Sequence, residues 1–350
     1  MQRLIFILFT FLTFSFNDKK DDKEQIIFDR IEFIFNLKQT IQKDVWESFT
    51  DKQFDVPLIY FTDTSSYVVN PTDKFLTTFK SKLVFENRQI KIYKTEQRVD
   101  SLPFHMETVF TSGVPTDKYY YHSPFMRCSS YEEVLKTIPE VLSTEEWVTM
   151  IVHEYFHGFQ FKHPTYMDYC EKNIVQVQSD SLINIYNNNS WFKNLIDKEN
   201  ETLLKALSEP DNAKTEQLID TFFKIRNQRR IETKQRVKLD IANYEKCFET
   251  KEGTARYVEF SLYNKFSTMP PDYKLSKSDT SFKSFKKFRN YKIENDKWLY
   301  LTEKSDGYFY AVGFNMAKLL DKLKIEYRTK LFNEGGLSLE DILINRMNGS

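Results

Sequence analysis

Ser143-Thr144-Glu145-Glu146-Trp147-Val148-Thr149-Met150-Ile151-Val152-His153-Glu154-Tyr155-Phe156-His157 is the stretch on which the reading of this chain turns. A Ser followed three residues later by Glu is a capping box, which satisfies otherwise unpaired backbone amides at the start of a helix. Trp147, Met150, Ile151 and Phe156 then give that helix a buried side. On it His153 and His157 stand four residues apart, so both imidazoles point the same way one turn apart. That geometry can hold one metal ion. Glu154, next to the first histidine but angled away, can reach a water on the metal instead of the metal itself.

Working outward, the other three of the five histidines, His105, His122 and His163, have no such partners and read as loop or surface residues. A zinc site that does chemistry takes three protein ligands and leaves one place open. Gly158 and His163 are wrongly placed to complete the longer three-histidine pattern, so the third ligand should be a carboxylate. The segment Tyr244 to Glu259 offers four, with Glu245, Glu249, Glu252 and Glu259 on one helical side. Gly253 is out of character for a plain solvated helix, since a mid-helix glycine costs about 1 kcal/mol relative to alanine. Close packing of this helix against the histidine helix would be a reason for it.

The H-E-x-x-H of His153 to His157, followed downstream by Glu252-Gly253-Thr254-Ala255-Arg256-Tyr257, resembles the gluzincin metallopeptidases, broadly the thermolysin-like clan and its bacterial collagenase-like members. The resemblance covers two short motifs and their order. It implies a zincin-like fold, one Zn²⁺ per chain, and the glutamate just before the glycine as third ligand, which maps to Glu252, with Glu249 as its main rival. It also implies that Glu154 takes a proton from the attacking water and passes it to the leaving amine. A donor for the oxyanion is needed as well, and Tyr310, ahead of the C-terminal helix, is the candidate, with Tyr308 and Tyr257 as rivals. Peptide would lie along an edge strand upstream of the metal helix, for which Val56 to Phe61 or Val109 to Ser112 qualify. Two features depart from the pattern. Arg256 stands where thermolysin carries the acid that supports a histidine, so Glu249 or Glu259 takes that part. The long stretch between His157 and Glu252 implies a helical insertion.

Composition frames these motifs. The chain has 350 residues, with 50 Lys+Arg against 50 Asp+Glu, and a zero net charge argues against nucleic acid as a partner. Apolar residues make up 41% and aromatics 16%, ample for a folded core. Only 8 Gly and 10 Pro speak for long helices. The expected fold class is α+β. An amphipathic helix from Lys23 to Phe49 is followed by short β-rich runs at Val56–Phe61, Tyr67–Asn70, Leu83–Phe85 and Ile90–Tyr93, and the stretch Val109 to Tyr121 reads as strand, turn and loop. Beyond Ser130 the chain turns helical, with one or two long helices from Thr215 to Phe266, a break at Pro270-Pro271, a Lys/Ser-rich exposed loop from Lys274 to Asn295, and closing helices at Tyr310–Lys324 and Ser338–Leu343. This divides the chain into an N-terminal lobe, 18–165, with a mixed sheet and the histidine helix, and a mainly helical lobe, 166–350, carrying the glutamate ligand.

Residues 1–17 read as a signal peptide: Arg3 precedes an apolar run from Leu4 to Phe16, too short to span a bilayer, with Thr13-Phe14-Ser15 as the cleavage site. Export to the outside or the cell envelope, with no stable membrane span after removal, is the expectation. Cys128, Cys170 and Cys247 read as three buried thiols, one bridge plus a free thiol being the other possibility, and Asn188, Asn200 and Asn348 begin sequons. Taken together, the expected activity is that of a secreted zinc-dependent metallopeptidase acting on peptides or proteins. Two alternatives stand beside it: a zincin-fold cell-envelope binding protein without catalysis, and a zinc hydrolase of a non-peptide amide or ester.

Overall fold

A computed structural model describes residues 18–95, 99–100, 102–110, 124–174, 177, 179–295 and 307–348. The expected signal peptide, the turn and loop beyond Phe110, and His122 lie outside the described residues. The chain is mixed α+β, with one six-stranded mixed sheet and a helical C-terminal part.

Helix α1 (Asp18–Asp44) buries Phe28, Ile31, Ile34, Leu37 and Ile41, its apolar stripe, against the core. The sheet follows: β1 (Leu58–Phe61), β2 (Ser66–Val69), the one-turn helix α2 (Asp73–Leu76), then β3 (Lys82–Glu86), β4 (Lys91–Thr95), β5 (Met106–Val109) and β6 (Phe125–Ser129). Strand order is β3-β4-β2-β1-β6-β5, with β1 and β6 parallel and the other neighbours antiparallel. Every residue of β1 is buried because both faces of the sheet are covered. Leu58 and Tyr60 join the main core, while Ile59 and Phe61 pack with Val68, Phe75, Val109 and Phe125 on the other side.

Two expectations about strands change here. Val56–Phe61 is not an edge: its strand, β1, is hydrogen-bonded on both sides, and β5 is the edge next to β6. The strand β6 has no counterpart in the sequence reading: all five of its residues are buried, but Arg127 breaks its apolar pattern.

Beyond the sheet come α3 (Tyr131–Thr137), α4 (Thr144–Phe161), α5 (Pro164–Ile174), α6 (Ser179–Asn188), α7 (Ser190–Ser208), α8 (Asn212–Arg236), α9 (Ala242–Phe266), α10 (Tyr273–Ser278), α11 (Tyr308–Lys322), α12 (Arg328–Leu331) and α13 (Leu339–Asn348). The Thr215–Phe266 stretch is thus two long helices. The segment 274–295 is not an exposed loop. Phe282, Phe285 and Phe288 are buried at three-residue spacing, with Phe285 stacked on Phe266 at 4.4 Å, and the lysines and serines between them face out. Amides of Lys283 and Phe285 both donate to Glu145 Oε1 at 2.9 Å, so this segment covers the first turn of α4.

A continuous hydrophobic cluster runs from Phe28 to Leu343, through sheet and helices alike. All three cysteines are buried and unbridged, with the Cys170 and Cys247 sulfurs 3.8 Å apart. Asn200 is buried, its Oδ1 accepting from Asn315 Nδ2 at 2.7 Å, so that sequon is closed to modification. Among the described residues no helix is long and apolar enough to cross a membrane.

Two features hold the helical part in register. First, α9 and α11 touch backbone to backbone at Gly253 and Gly313. A Cβ on Gly253 would stand 2.5 Å from the Gly313 Cα, and one on Gly313 would run into the Glu249 carbonyl. The packing reason for Gly253 is therefore α11 and not the histidine helix. Gly313→Ala is expected to lower stability by about 1–3 kcal/mol through overpacking, read as a fall in the thermal midpoint.

Second, α8 buries three arginines among four carboxylates. Arg226 bonds Glu199 at 3.2 Å and Glu340 at 2.9 Å, and reaches Glu249; Arg229 bonds Glu199 at 2.5 Å and Glu245 at 2.7 Å; Arg230 bonds Glu245 at 2.9 Å and Glu340 at 2.7 Å. Burial pushes the Glu249 carboxyl up to about 7, against the pull of Arg226, so that near neutrality the cluster approaches three cations against three anions.

Candidate functional site

Helix α4 starts where the capping box places it: Ser143 Oγ accepts from the Glu146 amide at 3.3 Å, and the Glu146 carboxylate accepts from the Leu142 amide at 3.1 Å. Trp147 anchors the helix to the sheet by donating from Nε1 to the Ser129 carbonyl at 3.1 Å. Sheet on one side and α9 on the other leave almost the whole of α4 buried, including His153 and His157.

The four glutamates of α9 do share its buried side, but they do not share neighbours. Each residue advances a helix by about 1.5 Å. Glu245 and Glu249, nearer the start, fall into the arginine cluster, whereas Glu252 and Glu259 reach α4. Glu249 is therefore removed as a rival for the histidines. Glu252 Oε2 lies 3.1 Å from His157 Nε2 and 3.6 Å from His153 Nε2.

The opposite ring nitrogens are also held. His153 Nδ1 is 3.1 Å from Glu259 Oε2, which itself pairs with Arg256 at 3.2 Å. His157 Nδ1 is 2.8 Å from Gln160 Oε1, and the amide of Gln160 donates to the Lys251 carbonyl at 3.0 Å and to Thr254 Oγ1 at 2.8 Å. Both outer nitrogens face oxygen acceptors, which favours Nδ1–H; with a metal ion bound, each Nε2 would then offer its lone pair on the side of Glu252.

Two donor atoms bound to one tetrahedral zinc at 2.0–2.1 Å lie about 3.4 Å apart. The separations of 3.1 and 3.6 Å between Glu252 Oε2 and the two Nε2 atoms bracket that value, so these three residues fit the donor set of one such ion. His153, Glu154 and His157 also offer ligand atoms within 4.8 Å of one another. Glu154, however, is turned toward the sheet: its Oε2 accepts from the Thr108 amide of β5 at 2.9 Å, and its own carbonyl accepts from the Thr108 hydroxyl.

The electrostatics follow from this packing. Burial lowers the affinity of His153 for a proton, but its hydrogen bonds to Glu252 and Glu259 outweigh that and carry it up to about 9. Burial works against ionising Glu252, yet Lys251, His157 and His153 hold its carboxyl well below the usual carboxylate range. Glu259 is held down in the same way, chiefly by Arg256 against its own burial. Lys251, half-buried, is raised by Glu252 against the cost of its desolvation, and the Glu252 Oε1 stands 2.6 Å from its ammonium.

A cavity of about 380 Å³ opens onto this cluster, lined by Thr108 and Phe110 at β5, by Glu154, His157 and Phe161 of α4, and by Lys251, Glu252 and Tyr310. Of the three tyrosine candidates Tyr310 is the one there, its ring 6.3 Å from that of His153 and beneath the Arg256 guanidinium at 4.9 Å. Tyr308 is buried in the arginine cluster and donates to Glu245, and Tyr257 is committed to Asp321 and Arg328.

His105 and His163 are buried rather than surface residues, and neither joins the site. His105 Nε2 is 2.9 Å from Asp100, and His163 Nδ1 is 2.8 Å from the Phe159 carbonyl.

Sequence reasoning missed Gln160, Lys251 and Thr108. Gln160 is three residues past His157, one turn further on the same face, and that spacing is the signal that could have found it. Thr108 had no such signal, since its role depends on where β5 lies in the sheet. Set against family models, curated proteins and solved structures, the chain matches none.

Proposed function

We propose that the chain is an exported zinc-dependent metallopeptidase of gluzincin type, with His153, His157 and Glu252 as metal ligands and Glu154 as general base. One observation carries the reading. A carboxylate oxygen sits 3.1 and 3.6 Å from two imidazole nitrogens whose far sides are already anchored, which is what a preassembled three-ligand zinc site needs. When bound, the ion would supply Lewis-acid polarisation and a nucleophile at neutral pH.

The chain's own residues account for the rest. Glu154 stands in the cavity with one oxygen fixed by the Thr108 amide, placed to take the proton of an attacking water and return it to the leaving amine. Tyr310 lines the same cavity and is the tyrosine we assign to the charge that develops on the substrate oxygen. Strand β5, whose Thr108 amide is held by Glu154, pairs only with β6 among the described residues and runs beside the cavity, a position suited to an extended peptide. Phe110 and Phe161, stacked at 4.6 Å, give the cavity an apolar side.

Elemental analysis of purified protein, joined to a peptide-library cleavage assay, tests the proposal. About one zinc per chain, cleavage lost on chelation and cleavage regained on adding zinc are expected. Zinc uptake without cleavage of any peptide would favour a binding protein instead, and failure to take up zinc would refute the reading altogether. A graded prediction follows for the histidine supports. Gln160→Leu and Glu259→Gln should each weaken zinc binding by about 10–100-fold while leaving the ligands in place, measured by competition with a chelating dye.

A further inference from the structure

Glu252 has two carboxylate oxygens, and they are treated differently. Oε2 faces the two Nε2 atoms, while Oε1 is taken by the Lys251 ammonium at 2.6 Å. Lys251 is itself fixed at both ends. Its carbonyl accepts from Gln160, the residue that also holds His157, and its ammonium passes within 5.8 Å of the Phe248 ring centre. The side chain is 17% exposed and lines the cavity, so this pair is not free to trade places with bulk water.

We infer that Lys251 is a positioning residue that makes Glu252 a one-oxygen ligand. By binding Oε1 it leaves Oε2 alone to face the histidines, which keeps the donor set at three atoms and one place open for water. A free carboxylate beside a divalent ion can instead bind through both oxygens, which adds a fifth donor beside the two histidines and the water and crowds that place. Only a cation or strong donor at position 251 prevents this, because the other described partners of Glu252 are the two histidines, both on Oε2. The inference rests on the proposed metal site and adds how that site stays open.

The test uses full-length chain stripped of metal and titrated with Co²⁺, whose visible absorption is strong in four-coordinate sites and weaker in five-coordinate ones. Wild type is expected to show the strong band. Lys251→Met should bind Co²⁺ but lose band intensity as Glu252 adds its second oxygen, and Lys251→Arg, which restores a cation beside Oε1, should recover it. Far-UV circular dichroism checks that the Met chain folds, and Lys251→Leu gives the same reading should it not. A strong band in the folded neutral variants, equal to that of wild type, would overturn the role of Lys251 while leaving the metal site standing. No cobalt uptake by wild type would overturn both.

Discussion

Glu154→Gln is expected to keep the metal and to lower kcat/KM by about 10²–10⁴-fold, the usual worth of a positioned acid–base group. The amide is close in shape to the carboxylate, so its oxygen can still accept from the Thr108 amide, and the cavity keeps its form. What is lost is a group able to take and return a proton. Zinc should remain because His153, His157 and Glu252, whose facing atoms are 3.1 and 3.6 Å apart, are untouched. Steady-state kinetics on a peptide found in the library, with zinc content measured on the same sample, reads both effects. Unchanged turnover would show that another residue is the base. Loss of zinc would show that Glu154 is a ligand, the arrangement in which His153, Glu154 and His157 converge on one ion.

The largest expected effect on stability is far from the cavity. Arg229→Met should cost about 3–5 kcal/mol, because it removes a buried cation and leaves the buried Glu199 and Glu245 with one arginine each, Arg226 and Arg230. Arg229 is fully buried and bonds Glu199 at 2.5 and 3.0 Å and Glu245 at 2.7 and 3.2 Å, with its guanidinium 4.8 Å over the Phe192 ring. Methionine replaces the packing and none of the bonds. Urea unfolding should show a lower midpoint with an unchanged slope; an unaltered midpoint would mean that the cluster adds nothing to the fold.

The same cluster gives a pH signature. Glu249 titrates near 7 in the folded chain against an ordinary 4.5, so between those values the folded state holds more protons than the unfolded one. Stability from this group therefore falls as pH rises through that window. Glu249→Gln has no such loss and should gain on wild type between about pH 5 and pH 8. A constant difference between the two across that range would contradict the assignment.

What could be read ahead of the structure was local. The cap at Ser143, the one-turn spacing of His153 and His157 and the stripe of α1 follow from helix period and side-chain chemistry, and each has its counterpart in the fold. Glu252 needed more than periodicity, since Glu245, Glu249, Glu252 and Glu259 share one helical side, and only the crossing of α9 over α4 separates the pair that meets the histidines from the pair that meets the arginines. Gly253 pointed rightly to close packing and wrongly to its partner, because nothing in a one-dimensional pattern says which helix lies opposite.

The misreading of 274–295 has a similar cause. Three phenylalanines at three-residue spacing bury themselves while the lysines and serines between them dominate the composition. Strand β6 was hidden because its Arg127 is neutralised by Glu107 at 2.7 Å and Asp100 at 3.2 Å, partners that only the sheet supplies.

The central claim is that His153, His157 and Glu252 hold one zinc ion while Glu154 stands free of it. An anomalous-difference map from crystals of the zinc-loaded chain, collected on either side of the zinc absorption edge, tests this most directly. The account predicts one strong peak within bonding distance of both Nε2 atoms and of Glu252 Oε2, with the Lys251 ammonium still on Oε1. A map without a peak there, or a peak bound by Glu154 in place of Glu252, would contradict it.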